Sequence, residues 1–225
     1  MLITLNDLSH LTEEERRIIE VYSQSAGRYS DRAIRVNGGS TNLAEKHDFQ
    51  SLGFLRQSPL WVGQRILDVG CGYGWFSSIA NKLNMQYVGI DPAEGMVKVA
   101  RSLYPEQDFH LLDMESLPMA FQPRSFDAFV SFNSLVFIPV ERMTSALKKL
   151  RAVLKTGARG LIVHTSTRNH LGELSATIDS TGELVTFTET LWTPESIEPH
   201  FESAGLRIEG AISDQLFWHL VVTSD

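Results

Sequence analysis

Ile66-Leu67-Asp68-Val69-Gly70-Cys71-Gly72-Tyr73-Gly74-Trp75 decides the fold. A short apolar run leads into three glycines at alternate positions, and a helical pattern follows. Such glycines let the backbone turn sharply and let a ligand lie against bare main chain. Asp91 ends the next apolar run, 21 residues after Gly70. A carboxylate at that place can accept hydrogen bonds from both ribose hydroxyls of a nucleoside. A dinucleotide loop reads Gly-x-Gly-x-x-Gly, but here Trp75 holds the third glycine's position. Asp68, two residues before the first glycine, would repel a pyrophosphate. It suits a ligand with a cationic amino-acid end.

Outward from this loop, apolar runs alternate with helical patterns. Strands are predicted at 65–69, 87–91, 109–112, 126–131, 160–165, 206–213 and 217–223, and helices at 75–84, 93–104, 140–154 and 194–204. Pro199 is a weak point in the last helix. Alternation of this kind predicts an α/β fold, a parallel sheet covered by helices on both faces. About three residues join the last two strands, too few for a parallel crossover, so they should pair antiparallel. The expectation is a doubly wound, mostly parallel seven-stranded sheet with its last strand antiparallel. Residues 1–64 read as a helical N-terminal cap or lid, and 65–225 as the ligand-binding domain. Thr12-Glu13-Glu14-Glu15 has capping-box spacing. Gly27 reads as the end of that first helix, and Ala44–Leu55 as a second one.

Composition narrows the function. The 225 residues are 43% hydrophobic and 21% charged, a globular balance, with a net charge of −7. The acid is concentrated late: residues 151–225 carry 5 basic and 10 acidic residues, and Arg207 is the only Lys or Arg after Arg168. A net-acidic surface lacks the broad basic footprint of a nucleic-acid or anionic-membrane binder. The single cysteine, Cys71, rules out an internal disulfide. The 13-residue charge-free run Ala128–Val140 is too short for a membrane helix. No signal peptide is read at the start, and no His or Cys spacing signals a metal site. A cytoplasmic protein, monomeric or homodimeric, is expected.

The sequence resembles the class I S-adenosylmethionine-dependent methyltransferases. The resemblance rests on Ile66–Gly74, Val88–Pro92 with Met96, Asp113–Pro118, Phe126–Ser131, Leu154–Ile162 and Trp192–Gly205, in that order. It implies a Rossmann-like methyltransferase fold with S-adenosyl-L-methionine as cofactor and S-adenosyl-L-homocysteine as product. It also implies positions. Asp68, Gly70, Cys71 and Gly72 would line the methionine end, and Asp91 would hold the ribose. Pro92 and Met96 would pack along the adenine. Asp113 would accept from the adenine amino group beside the Met114 backbone. Ser131, Phe132 and Asn133 would run under the sulfonium. Tyr22 and Arg28 are candidate lid contacts, Arg28 for the cofactor carboxylate.

His164, at the end of the fifth strand, is the candidate base, with a structural histidine as the alternative. Families of this type often place His or Glu just after the fourth strand, where this chain reads Leu135-Val136-Phe137-Ile138. The nucleobase and protein-amide enzymes carry Asn or Asp, Pro-Pro and an aromatic there. Ser131-Phe132-Asn133-Ser134 departs from that pattern, and no Pro-Cys nucleophile is present. The segment Thr167–Leu191 reads as an acidic insert at the substrate rim. Methyl transfer to a small molecule, polar or weakly cationic, is the leading expectation. A cofactor-binding protein with a non-methylating or regulatory role is the alternative, and an NAD(P)-dependent oxidoreductase a more distant one.

Overall fold

The computed structural model describes residues 7–36, 61–165, 174–178, 183–213 and 217–225. Helix α1 (Glu13–Val36) precedes the alternating region. Then come β1 (Arg65–Val69), α2 (Ser77–Lys82), β2 (Gln86–Asp91), α3 (Glu94–Leu103) and β3 (Asp108–Leu111). After them come α4 (Leu117–Ala120), β4 (Phe126–Phe132), α5 (Val140–Val153), β5 (Leu154–Thr165), β6 (Leu174–Ile178) and β7 (Leu184–Thr188). The last elements are α6 (Pro194–Ser203), β8 (Leu206–Ser213) and β9 (Phe217–Ser224). Single 3-10 turns lie at Met114–Ser116 and Leu135–Phe137.

Seven strands form one sheet in the order β3-β2-β1-β4-β5-β9-β8. The first five are parallel, and β9 runs antiparallel to both β5 and β8. The strand order reverses at β1, so the crevice beyond the carboxyl ends of β1 and β4 is the topological switch point. The reversed strand lies second from the rim, with β8 outside it.

Strand pleating explains why the runs are apolar throughout. Leu67, Val69, Val88, Ile90, Phe129 and Ile162 face Met143, Leu147 and Leu150 of α5 and Ile197 and Phe201 of α6. The alternate residues Ile66, Tyr87, Ala128, Val130, Leu161 and Val163 face Ile79 and Ala80 of α2 and Met96, Val97 and Ala100 of α3. Both faces are covered, so both are mainly apolar.

Several boundaries move for identifiable reasons. Turns occupy Trp75 and Phe76, so α2 begins only at Ser77. Strand β5 starts at Leu154, which pairs with Phe126, earlier than the apolar run at Gly160 suggests. Pro199 sits inside α6, which Thr193 and Ser196 cap reciprocally and whose Ile197 and Phe201 are fully buried. The insert contains an antiparallel hairpin, β6-β7, where only a loop was expected. Ala44–Leu55 lies outside the described residues.

At the N-terminal helix, Thr12 and Glu15 form the expected capping box: the Glu15 N–H donates to Thr12 Oγ1 (3.2 Å) and the Thr12 N–H to Glu15 Oε2 (2.8 Å). The helix does not end at Gly27 but continues to Val36. A glycine inside a helix costs ~1 kcal/mol relative to alanine, which neighbouring packing overrides. Glu15, nearly buried, also accepts from Arg142 of α5 (2.7 Å), whose other nitrogen meets Glu115 (2.8 Å). Farther along, Ser23 Oγ accepts from the Gly95 N–H (2.8 Å). A Cβ at Gly95 would lie 1.8 Å from the Ser23 carbonyl oxygen, so α1 and α3 meet at backbone distance. Gly95→Ala is therefore expected to lower stability by about 1–3 kcal/mol. Urea unfolding checks this, with hydrogen exchange showing the loss of protection beginning in α1.

Candidate active site

The glycine loop is built by hydrogen bonds to the end of β2. The N–H groups of Gly70 and Cys71 both donate to the Ile90 carbonyl (2.9 Å each). The Gly72 N–H donates to Asp91 Oδ2 (2.9 Å), and the Ala93 N–H to Asp91 Oδ1 (2.8 Å). One carboxylate thus ties the loop after β1 to the turn after β2. Burial pushes the Asp91 carboxyl up to about 6, against the pull of the Ala93 and Gly72 N–H groups. Asp68 is also buried and accepts from the Tyr87 hydroxyl (2.7 Å). Desolvation drives it up to about 7, opposed by that hydrogen bond and reinforced by Asp91. Burial likewise raises the Cys71 thiol well above its usual value.

Ser134 bears on the loop from the other side. Its Oγ donates to the Val69 carbonyl (2.8 Å) and shares a hydrogen bond with Ser131 Oγ (2.7 Å). Gly70 has φ +69°, and a Cβ there would lie 2.2 Å from Ser134 Cβ. The loops after β1 and β4 therefore meet where a side chain on either could not be added. Sequence reading stopped at Asn133 and missed Ser134, because nothing local marks the contact. Asn133 has φ +51° and its N–H donates to Val163 (2.7 Å). Phe132 packs on Trp75 (4.8 Å between centroids) and Phe76 (5.2 Å).

Asp113 Oδ1 accepts from the Ser116 N–H (3.1 Å) and so caps the 3-10 turn. Its Oδ2 lies 2.6 Å from Nε2 of His10, a residue from before α1 that sequence reading did not single out. Met96 and Met114 are buried, and Pro92 is half-buried.

Tyr22 lies in an aromatic group. Its ring centroid is 5.5 Å from Phe137 and 5.8 Å from Phe187, and those two are 5.6 Å apart. Its phenol is held well above its usual value by burial, then by Tyr29, Glu189 and Asp91. Phe187 and Glu189 sit in the insert and were not singled out, although Val185-Thr186-Phe187-Thr188 alternates with the period of a strand.

Two further expected contacts differ in exposure. Arg28 is on an exposed stretch of α1. His164 is wholly enclosed, 0% exposed. Strand alternation puts it on the face of Ile162, toward α5 and α6, opposite to the face of Asp68 and Tyr87.

Among the described residues, no group of three or more His, Cys, Asp and Glu side chains stands close enough to hold a metal ion. No helix there is long and apolar enough to cross a membrane.

Comparison with known proteins bears on the fold and the glycine-loop domain. Residues 66–157 match the methyltransferase domain family. An O-methyltransferase of Pyrenophora dematioidea is 34% identical over 51% of this chain and 43% of its own length. The chain spans about half the length of the curated relatives it matches. The magnesium protoporphyrin IX methyltransferase of Synechocystis PCC 6803, solved with bound S-adenosylmethionine, superposes with a TM-score of 0.67. The alignment covers 96% of this chain and 99% of that one at 17% identity. The DhpI complex with S-adenosylhomocysteine superposes with a TM-score of 0.73 over 94% and 97% of the two chains, at 14% identity. In its glycine-loop domain and its strand order, the chain is similar to the S-adenosylmethionine-dependent methyltransferases.

Proposed function

We propose that the chain transfers a methyl group from S-adenosylmethionine to a small-molecule acceptor, leaving S-adenosylhomocysteine. The observation that carries this reading is the glycine loop clamped to Asp91 at the switch point. The donor set fits the cofactor. Asp68 and Asp91 are buried carboxylates whose pKa values are raised by desolvation, so a cation brought beside them would be favoured. A cofactor with a sulfonium and an ammonium meets that demand, and a pyrophosphate does not. Gly72, at φ +54° with open space where a Cβ would stand, leaves the loop's backbone accessible.

In this reading Asp68 receives the ammonium, with the backbone of Gly70, Cys71 and Gly72 along the methionine chain. Each Asp91 oxygen already accepts one N–H and has a lone pair left for a ribose hydroxyl. Pro92 and Met96 give the adenine an apolar bed. Asp113 and the Met114 backbone take its polar edge, with His10 sharing the carboxylate. Ser131 and Asn133 border the sulfonium, and Phe132 with Trp75 keeps water from the methyl group. When bound, the cofactor supplies a methyl carbon on a good leaving group, so the protein's task is alignment and exclusion of water. Tyr22 closes the site from α1. His164 is not carried forward as a base, because its enclosed ring cannot touch an acceptor while β5 stays intact. Arg28 is not carried forward either, because its side chain is exposed.

Asp91→Ala is expected to weaken S-adenosylmethionine binding by ~1.5–3 kcal/mol, roughly 10- to 150-fold, through the loss of charge-assisted hydrogen bonds. Calorimetry decides it, and unchanged affinity refutes the ribose assignment. The raised carboxyls add a pH signature. In the folded state Asp91 and Asp68 hold their protons to about 6 and about 7, whereas the unfolded chain releases them near 3.8. The native state thus binds more protons between those limits, and stability falls as pH rises from about 4 to 7. Asp68→Asn should flatten that slope and raise the melting temperature of the ligand-free protein at pH 8. A melting series across pH measures both.

A further inference from the structure

Asp68 is a buried acid in an apolar row of the sheet. Strand register sets Val130 of β4, Asp68 of β1, Gly89 of β2 and Phe109 of β3 side by side on one face. Gly89 leaves the place next to Asp68 without a side chain. Tyr87, two residues earlier and so on the same face, puts its phenol there. A Cβ at Gly89 would lie 2.7 Å from the Tyr87 hydroxyl oxygen, 2.9 Å from Phe109 Cδ1 and 3.0 Å from Cys71 Sγ. Across this gap the phenol donates to Asp68 Oδ2 (2.7 Å). The tyrosine ring stands edge-on to Phe109 (5.5 Å between centroids) and tilted against Phe76 (6.5 Å), so it is held on two sides. Tyr87 is buried, and desolvation first, then Asp68, pushes its phenol far above the usual value. It therefore keeps its proton and acts as donor. Among the described residues this is the one hydrogen bond to Asp68, which leaves Oδ1 for a ligand.

We propose that Tyr87 is a positioning residue for the cofactor, its phenol lying over Gly89 and holding Asp68 in place for the ammonium of the methionine end. This rests on the methyl-transfer reading above and adds a residue to it. The geometry gives the tyrosine two effects. With Oδ2 tied to a ring that is itself packed, the carboxylate is ordered before the ligand arrives, so binding does not have to order it. A hydrogen bond donated to a carboxylate also favours its charged form. Asp68 must be ionised to pair with an ammonium. Its carboxyl stands at about 7, raised by desolvation, lowered by the Tyr87 bond and raised again by Asp91. The other ionisable group beside it is Cys71, whose thiol burial holds well above its usual value. Without the phenol, more of Asp68 carries a proton at neutral pH. That proton competes with the ammonium and leaves as the pH rises, so the loss should shrink in mild alkali.

Calorimetry on Tyr87→Phe, which removes the hydroxyl and keeps the ring, tests this. The probes are S-adenosylhomocysteine and 5′-methylthioadenosine, which lacks the amino-acid end. The substitution is expected to weaken S-adenosylhomocysteine about tenfold at pH 7 and about threefold or less at pH 8.5, with methylthioadenosine changed by less than about twofold at both. In an Asp68→Asn background it should cost less than about twofold, because its effect runs through that carboxylate. Unchanged affinity for S-adenosylhomocysteine, an equal loss for both probes, a loss that stays the same across pH, or an undiminished loss in the Asp68→Asn background overturns the proposal. Should Tyr87→Phe fail to fold in a thermal melt, Phe109→Leu loosens the same ring and should weaken S-adenosylhomocysteine about threefold and methylthioadenosine by less than about twofold, with equal losses again overturning the proposal. If the unmutated protein does not bind S-adenosylhomocysteine, the cofactor reading beneath the proposal falls instead.

Discussion

The Asp91 carboxylate is the joint on which the site depends. Its two oxygens accept from Gly72 and Ala93, so a single side chain sets the loop after β1 and the turn after β2 in one frame. That arrangement is costly when isolated, because the carboxylate lies out of water at the mouth of a sheet. The cost is what gives the crevice its preference: two acids held away from solvent make a place where positive charge is welcome. The same constraint explains the tight packing opposite. With the loop fixed, Ser134 can press on Gly70 and carry the fourth strand's end to within contact of the first.

The N-terminal helix belongs to this arrangement by contact. Ser23 on Gly95, Glu15 on Arg142 and His10 on Asp113 attach it at three points along its approach. These attachments have different strengths. The backbone approach at Gly95 allows no adjustment, whereas the partly exposed histidine contact does. The wall contributed by this segment is thus anchored most firmly at its middle and least at its start.

How much of this the sequence disclosed follows from the range of each interaction. Strand and glycine positions were legible because burial on both faces writes a local apolar pattern, and because Gly70-x-Gly72 leads into a helix. The capping box at Thr12 and Glu15 was legible for the same reason. Gly27 misled, since a glycine signals a helix end only when tertiary packing does not carry the helix past it. The β6-β7 pair was missed although Asp179-Ser180-Thr181-Gly182 is a turn signal, because its strands are short and pair only with each other. His10, Ser134, Phe187 and Glu189 share one property: each acquires meaning from a partner far away in the chain. His164 shows the converse. Its place at a strand end on the ligand side was read correctly, but the pleat turns its side chain toward the other layer.

The placement of β9 also affects how the molecule is assembled. It hydrogen-bonds on both sides, to β5 and to β8, yet it follows both in the chain. Until residues 217–224 are threaded between them, β5 and β8 each present an open edge able to pair with a foreign strand. Nascent or nicked forms lacking this segment would expose two adhesive borders at once, making clumping a hazard of synthesis more than of the finished molecule.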